Sequence, residues 1–342
     1  MKSSEASYAP SWVDRLMNGV DTLPVPAWVA YLGVFAVVAL AGNLAAWIDG
    51  SVEFGQAHAY ETSLGFYVAM PLVGMHYLDL AASRAWRTFR PALQVDDEAA
   101  AAIEHRLTTM PARATLGVTL LSVAPSVLLF VSFYGTETSI ERTPVTLLAN
   151  GVNDALALCL TFILGYHSLR QLRLIDQLHR RVETVDLLHL TPLHAFARVS
   201  SATGIVLIAL IYVSVLTNPA SLANVGLIVG LGLTVALAVA CFLVPLYGMH
   251  TRIAAAKARR LDEIDRRLSL VMSELDRTAD EADPAAAETL GKRLSSTITQ
   301  RQVVQAVSTW PWQADTLRWF VTAIVAPLAL WLTYRILEQQ LA

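Results

Sequence analysis

The sequence predicts an all-α polytopic membrane protein with seven transmembrane helices, its N-terminus inside and its C-terminus outside. Three observations predict this. The 342 residues are 55% hydrophobic and only 15% charged, against about 25% charged for a soluble domain, and mean hydropathy is +0.48. Seven apolar runs reach the roughly 20 residues that cross a bilayer. The basic residues are strongly asymmetric: with the N-terminus inside, 23 of the 25 Lys and Arg fall on inner segments, as the positive-inside rule requires. Only Arg142 and Arg335 then lie outside.

Residues 1–26 read as a cytoplasmic segment carrying an interfacial helix over 10–21, with Trp12, Leu16, Met17 and Val20 near one face and Pro24 and Pro26 ending it. Residues 27–248 hold six spans, at about 27–48, 63–82, 114–134, 145–166, 199–217 and 223–247. The first run is too long for a signal-peptide core, so it is expected to remain as a span. Pro71, Pro125, Pro245 and Pro327 fall inside spans, where neighbouring helices re-satisfy freed backbone groups. Cys159 and Cys241 both lie in apolar runs and read as small packing residues rather than a disulfide pair. Arg far outnumbers Lys, 22 to 3, which points to a GC-rich prokaryotic source and an inner-membrane location.

Outer loops are short and inner segments long, so the polar body of the protein is expected inside. The fourth span runs on as a helical stripe through Leu169, Leu172, Ile175, Leu178, Val182 and Val185, to a break at Thr191-Pro192. Residues 249–316 read as a cytoplasmic helical hairpin. Its first arm continues the sixth span through Ile253, Leu261, Ile264, Leu268, Val271 and Leu275, Asp283-Pro284 breaks it, and Leu290, Leu294, Ile298, Val304 and Val307 lead back. Trp310-Pro311-Trp312 marks the return to the interface. These stripes have no lipid to face. They pack within one subunit, between subunits, or both.

Catalytic and cofactor signatures are absent. There is no GxSxG, Walker or Gly-rich phosphate sequence, so no enzyme and no cofactor is expected. His76 and Asp79 share a face of the second span, but His167, His179, His189 and His194 lack ligand spacing, and no metal is expected. Topology accounts for the basic residues, and no nucleic acid is expected. Asp154 stands out, because a carboxylate about ten residues into the fourth span is costly. It is either a neutral interhelical hydrogen bond, with Asn43 as a candidate partner, or part of a ligand pocket formed with Asn43, Asn150 and Asn153.

Residues 317–342 form the seventh span. Thr322, Ala326, Ala329, Thr333 and Ile336 make a small, weakly polar stripe, opposite bulky Trp319, Ile324, Leu328 and Trp331. The stripe either lines a path or seats a close helix contact. The tail reads Thr333-Tyr334, five residues, then Gln340-Leu341.

In layout the chain resembles the insect odorant and gustatory receptors and their remote prokaryotic relatives. The shared features are seven spans, an inside N-terminus, long fourth and sixth helices projecting inward, and a cytoplasmic helix before the last span. The insect tail carries Thr-Tyr, five hydrophobic residues and Gln-Phe. Here three of the five, Arg335, Glu338 and Gln339, are polar, and Leu341 replaces Phe. The resemblance implies a homotetrameric ion channel, open to gating by a small molecule, with a cytoplasmic anchor and a pore lined by the last span. The pore-lining residues would be Thr322, Ala326, Ala329, Thr333, Ile336 and Glu338, with Glu338 at the outer mouth giving a weak cation preference. The alternative is a non-channel sensor or transporter whose cytoplasmic helices bind a partner.

Overall fold

A computed structural model of the chain describes residues 8–93, 95–134, 144–182, 186–187, 190–217, 225–280, 284–310, 317–322 and 324–325. Among them the regular structure is helical: α1 (Trp12–Asp21), α2 (Ala27–Ile48), α3 (Ala59–Phe89), α4 (Asp97–Thr108), α5 (Ala112–Tyr134), α6 (Pro144–Arg181), α7 (Thr191–Thr217), α8 (Val225–Asp280) and α9 (Pro284–Ala306). Five segments are long and apolar enough to cross a membrane: α2, α3, α6, most of α7 and the part of α8 from Gly232. α5 adds a shorter apolar stretch, Ala112–Leu128, with Leu116, Leu120, Leu121, Val127 and Leu128 exposed as lipid-facing residues would be. The predicted seventh span begins as helix at residues 317–322. Ala326, Ala329, Thr333, Ile336 and Glu338, and Pro327 with them, lie outside the described residues.

Helix length shows which elements outrun a bilayer. At 1.5 Å per residue, the 38 residues of α6 reach about 57 Å and the 56 of α8 about 84 Å, against a hydrocarbon core of about 30 Å. Both project at the end of the bundle that also carries α1, α4 and α9, here termed the hairpin end. α3 is the central element and packs on α2, α6 and α7. Its inward stripe runs Leu64, Val68, Leu72, Met75, Leu78, Ala82, Trp86 and Phe89, all buried at 3/4 spacing. Pro71 and Pro125 are accommodated inside continuous helices, as is Pro245 of α8.

The hairpin end is tied by cations placed at helix C-termini, where unpaired carbonyls gather. Arg252 of α8 donates to the His179 carbonyl and, at 3.3 Å, to that of Arg180, closing the end of α6. Lys257 donates to the Gln305 and Val307 carbonyls at 2.6 and 2.8 Å, closing the end of α9. Trp310 stacks on His250 of α8 at 4.0 Å, and Arg301 meets Asp265 at 2.7 Å across the hairpin.

Three details differ from the sequence reading. α1 turns a different face inward: Val13, Met17 and Val20 are buried, while Trp12 and Leu16 are exposed. The cause is Asp14, whose carboxylate accepts from the Ser11 backbone in a capping box and from Met110 N at 3.0 Å. That pins the helix to the α4–α5 junction and rotates Trp12 outward. α4 was not foreseen, because its alanine-rich sequence buries little beyond Ala100 and Leu107. α6 ends at Arg181, one residue before Val182 of the expected stripe, and Val185 lies outside the described residues. The breaks at Pro192 and Pro284 fall where the sequence places them: α7 starts at Thr191 and α9 at Pro284.

His179 sits beyond the span portion of α6, edge-on to Phe89 and Phe196 at 5.2 and 5.3 Å. Burial, reinforced by the Arg252 guanidinium, pushes its imidazole down to about 3. The unfolded chain would bind a proton there below about 6.5, while the fold refuses it until about 3. Stability is therefore complete above that unfolded value and falls with decreasing pH between the two, by up to about 1.4 kcal/mol per unit. In detergent melts from neutral to mildly acidic pH, the wild type should lose thermal stability and His179→Leu should lose markedly less. Equal acid sensitivity in the two proteins would contradict this assignment.

Candidate functional site: a polar-ended seam between α3 and α6

The inward faces of α3 and α6 meet along most of the bundle. On α3 the stripe extends beyond its apolar residues to a carboxylate near each end: Glu61, then Leu64, Val68, Leu72 and Met75, then Asp79. On α6 the matching stripe is Asn150, Ala157, Leu160, Leu164, His167 and Gln171. The seam thus has polar groups at both ends and an apolar block between. Eighteen residues separate the two carboxylates, about 27 Å of helix. That is close to the hydrocarbon thickness.

At the end opposite the hairpin, the first turns of α3 gather three of the four pocket candidates. Asn150 donates to Glu61 Oε1 at 2.9 Å. The Tyr60 hydroxyl donates to Asp154, 3.0 Å from Oδ2 and 3.3 Å from Oδ1. Asn43 accepts from His58 N at 2.8 Å and donates to Thr62 Oγ1 at 3.2 Å and to its own helix at Ala39 O. Glu61, Asn150 and Asn43 are buried, whereas Asp154 is half-buried. The partner of Asp154 is therefore Tyr60 rather than Asn43, and Asn43 is occupied in joining α2 to α3. Asn153 is half-buried, and among the described residues its side chain is not hydrogen-bonded to this cluster. Asp49, the C-cap of α2, accepts from Thr146 N at 3.2 Å and from the Thr146 hydroxyl. This carboxylate caps the N-terminus of α6 from another helix.

Sequence reading missed Glu61, Tyr60 and Asp49. Glu61 fell just before the expected start of the second span, but α3 begins at Ala59 and places it one turn before Leu64. Carrying the 3/4 period backward from Leu64 would have found it.

At the hairpin end, Asp79 lies 3.1 Å from His167 Nε2. His76, expected to share a site with Asp79, turns instead to α1 and α2: its Nε2 is 3.4 Å from Asp21, and its Nδ1 is 2.8 Å from the Tyr31 hydroxyl. Gln171 bridges to the Leu107 carbonyl at 3.0 Å. His167, Ser168 and Gln171 are essentially inaccessible, and both ring nitrogens of His167, Asp79 Oδ1, Ser168 Oγ and Gln171 Oε1 have no hydrogen-bond partner, so His167 and Asp79 are close without being hydrogen-bonded. Buried polar groups are ordinarily paired, so this end of the seam holds unused hydrogen-bonding capacity.

The start of the predicted pore helix is also placed. Phe320 stacks on Phe242 of α8 at 4.1 Å and fills the space above Gly204, where a Cβ would stand 2.4 Å from its ring. Thr322, on a different side of that turn, is exposed. No protein-family model matches the chain, and no curated protein or solved structure matches it.

Proposed function

We propose that the chain is the subunit of a homotetrameric ion channel of the prokaryotic inner membrane, with seven spans, the hairpin end in the cytoplasm and the pore lined by the last span. One observation carries the assembly. α8 and α9 expose Leu270, Met272, Ile298 and Val303, and Leu270 lies 23 residues past Tyr247, about 35 Å beyond the expected membrane exit. No lipid reaches them. Apolar side chains at such a distance from the bilayer are best covered by protein, and a second copy of the same hairpin supplies a matching stripe.

Conduction is supported by the resemblance in layout and by the start of the seventh helix. Phe320 faces the bundle and Thr322 faces away from it, which is the orientation a pore stripe needs. Continued at helical spacing, that face carries Ala326, Ala329, Thr333 and Ile336. A ring of Ile336 would constrict the path by dewetting, and a ring of Glu338 at the mouth would favour cations. Arg335 is close enough in sequence to weaken that field, so the preference is weak. The cluster of Glu61, Asn150, Asp154 and Tyr60 is the candidate site for a small-molecule stimulus.

A second reading, a non-channel transporter or sensor, is favoured by a different observation: both ends of the α3/α6 seam place ionisable groups inside one subunit. Stoichiometry separates the two. The four-residue variant Leu270→Gln, Met272→Gln, Ile298→Gln, Val303→Gln keeps the helix-capping contacts of Arg252 and Lys257. It should fold and run as a monomer in detergent, whereas the wild type runs as a tetramer. A wild-type monomer, or a variant that remains tetrameric, contradicts assembly through the hairpin.

A further inference from the structure

The exposed apolar residues of the hairpin, Leu270, Met272, Ile298 and Val303, do not form one patch. Ile264 of α8 is buried where α8 meets α9, as are Leu290 and Val304 of α9, so these three mark the seam of the hairpin. Counted round each helix from that seam at 3.6 residues per turn, Leu270 falls on one flank with Val303, and Met272 falls on the other with Ile298. The first flank is hollow: Arg267, Leu270 and Val271 of α8 and Lys292, Arg293 and Ser296 of α9 line a concavity of about 610 Å³. We propose that this hollow receives Met272 and Ile298 of a second copy, so that hairpins join first flank to second flank around a closed ring. This contact rests on assembly through the hairpin and specifies which surfaces meet.

Height along the hairpin supports the pairing. Copies in one membrane stand side by side and parallel, so groups that meet must lie at one height. Asp265 meets Arg301, which sets the register of the antiparallel hairpin: Ile298 stands beside Leu268, Arg293 beside Ser273 and Lys292 beside Glu274. The hollow therefore covers the heights of Arg267 to Glu274. Met272 and Ile298 stand within that range on the opposite flank. Met272 is 51% exposed, and its unbranched side chain suits an irregular hollow.

Charge gives the same pairing. Arg260 with Glu263, Glu274 with Arg277, Lys292 with Glu288 and Arg301 with Asp265 are paired inside one hairpin. Arg267 and Arg293 at the hollow, and Asp262 and Asp276 toward the other flank, are exposed and make no ion pair among the described residues. In height Arg293 is three residues from Asp276 and Arg267 five from Asp262, offsets of about 4.5 and 7.5 Å. A two-fold contact between like flanks would set hollow against hollow and Arg267 against Arg267. A heterologous contact sets unlike flanks together, and it closes when repeated round an axis. Complementary charge then fixes register and excludes the like-flank arrangement.

The test uses the purified chain in detergent, with substitutions confined to exposed positions. Leu270→Cys and Met272→Cys placed in one chain and oxidised should give a reduction-sensitive ladder of up to four subunits on a denaturing gel. Residues two apart on a helix do not face each other, so the bond forms between copies. Either substitution alone should give no ladder, and Cys159 and Cys241 are buried. Charge reversal is the second measurement. Arg267→Glu with Arg293→Glu should raise the concentration at which the oligomer dissociates by at least about tenfold. Asp262→Arg with Asp276→Arg should do the same, and all four together should restore assembly. Efficient covalent dimers from Leu270→Cys alone would show two hollows facing each other and overturn the contact. A wild-type tetramer that gives no ladder, or a four-residue reversal no better than either pair, also overturns it while leaving assembly through the hairpin standing. A wild-type monomer overturns both.

Discussion

Gly65→Leu should abolish the folded bundle, while Gly33→Ala should leave it intact or slightly stabilise it. Both glycines lie in apolar helices, so sequence alone treats them alike. At Gly65 of α3 an added Cβ would stand 2.5 Å from the Phe35 carbonyl oxygen and 2.7 Å from the Phe35 ring. A ring can turn, but a helix carbonyl cannot, so even one methyl group forces α2 away from α3. Replacing glycine by alanine in a helix normally gains about 1 kcal/mol. Overpacking at a contact this close costs about 1–3 kcal/mol, so Gly65→Ala should be net destabilising and leucine intolerable. A Cβ on Gly33 meets nothing within 4 Å, leaving only the propensity gain. Thermal melts in detergent and the yield of monodisperse protein measure both. A Gly65→Leu protein that melts like the wild type would mean that α2 and α3 do not cross at this residue.

Glu61→Ala should be the most damaging single side-chain deletion at the end opposite the hairpin. Glu61 is 2% exposed and Asn150 fully buried, and Asn150 donates to its carboxylate. Removing Glu61 strips the Asn150 amide of that acceptor and opens space beside Gly42, whose added Cβ would lie 3.1 Å from Glu61 Oε2. The unmet amide alone costs about 1–3 kcal/mol, and the lost packing adds to it. Asn150→Ala should cost a comparable amount. The double variant should cost much less than the sum, because residues that share one contact are coupled. Asp154→Asn should be mild for folding, since a neutral amide still accepts from Tyr60, and any change in response to a stimulus then reads function. Additive costs for Glu61→Ala and Asn150→Ala would mean that the two do not interact.

Local signals carried much of the fold into the sequence. Pro192 and Pro284 sit at the starts of α7 and α9, and each restarts a helix where its missing N–H costs least. The continuation of α6 and α8 beyond their membrane segments followed from apolar spacing that persisted after hydropathy fell. Pairing was less legible. Asn150 and Asp154 stood out as polar groups in a span, but their partners Glu61 and Tyr60 sit 89 and 94 residues away. Their position was hidden because hydropathy put the start of the span at residue 63, four residues after α3 begins at Ala59. His76 and Asp79 share a helix face, yet α3 is packed on several sides, and each residue found its partner on a different neighbour. The orientation of α1 was decided by one buried carboxylate, Asp14, which a count of apolar residues does not weigh.

Planar-bilayer recording of the purified chain under a salt gradient decides whether the protein conducts. The tetrameric fraction should carry current, with a reversal potential displaced slightly toward that of the cation. Glu338→Gln should move it toward zero, and Ile336→Ser should raise the basal current. Tetramer that carries no current under any salt or voltage, together with a cysteine at Ala329 that never reacts with water-borne reagents, would contradict the claim and make the last span a packing helix.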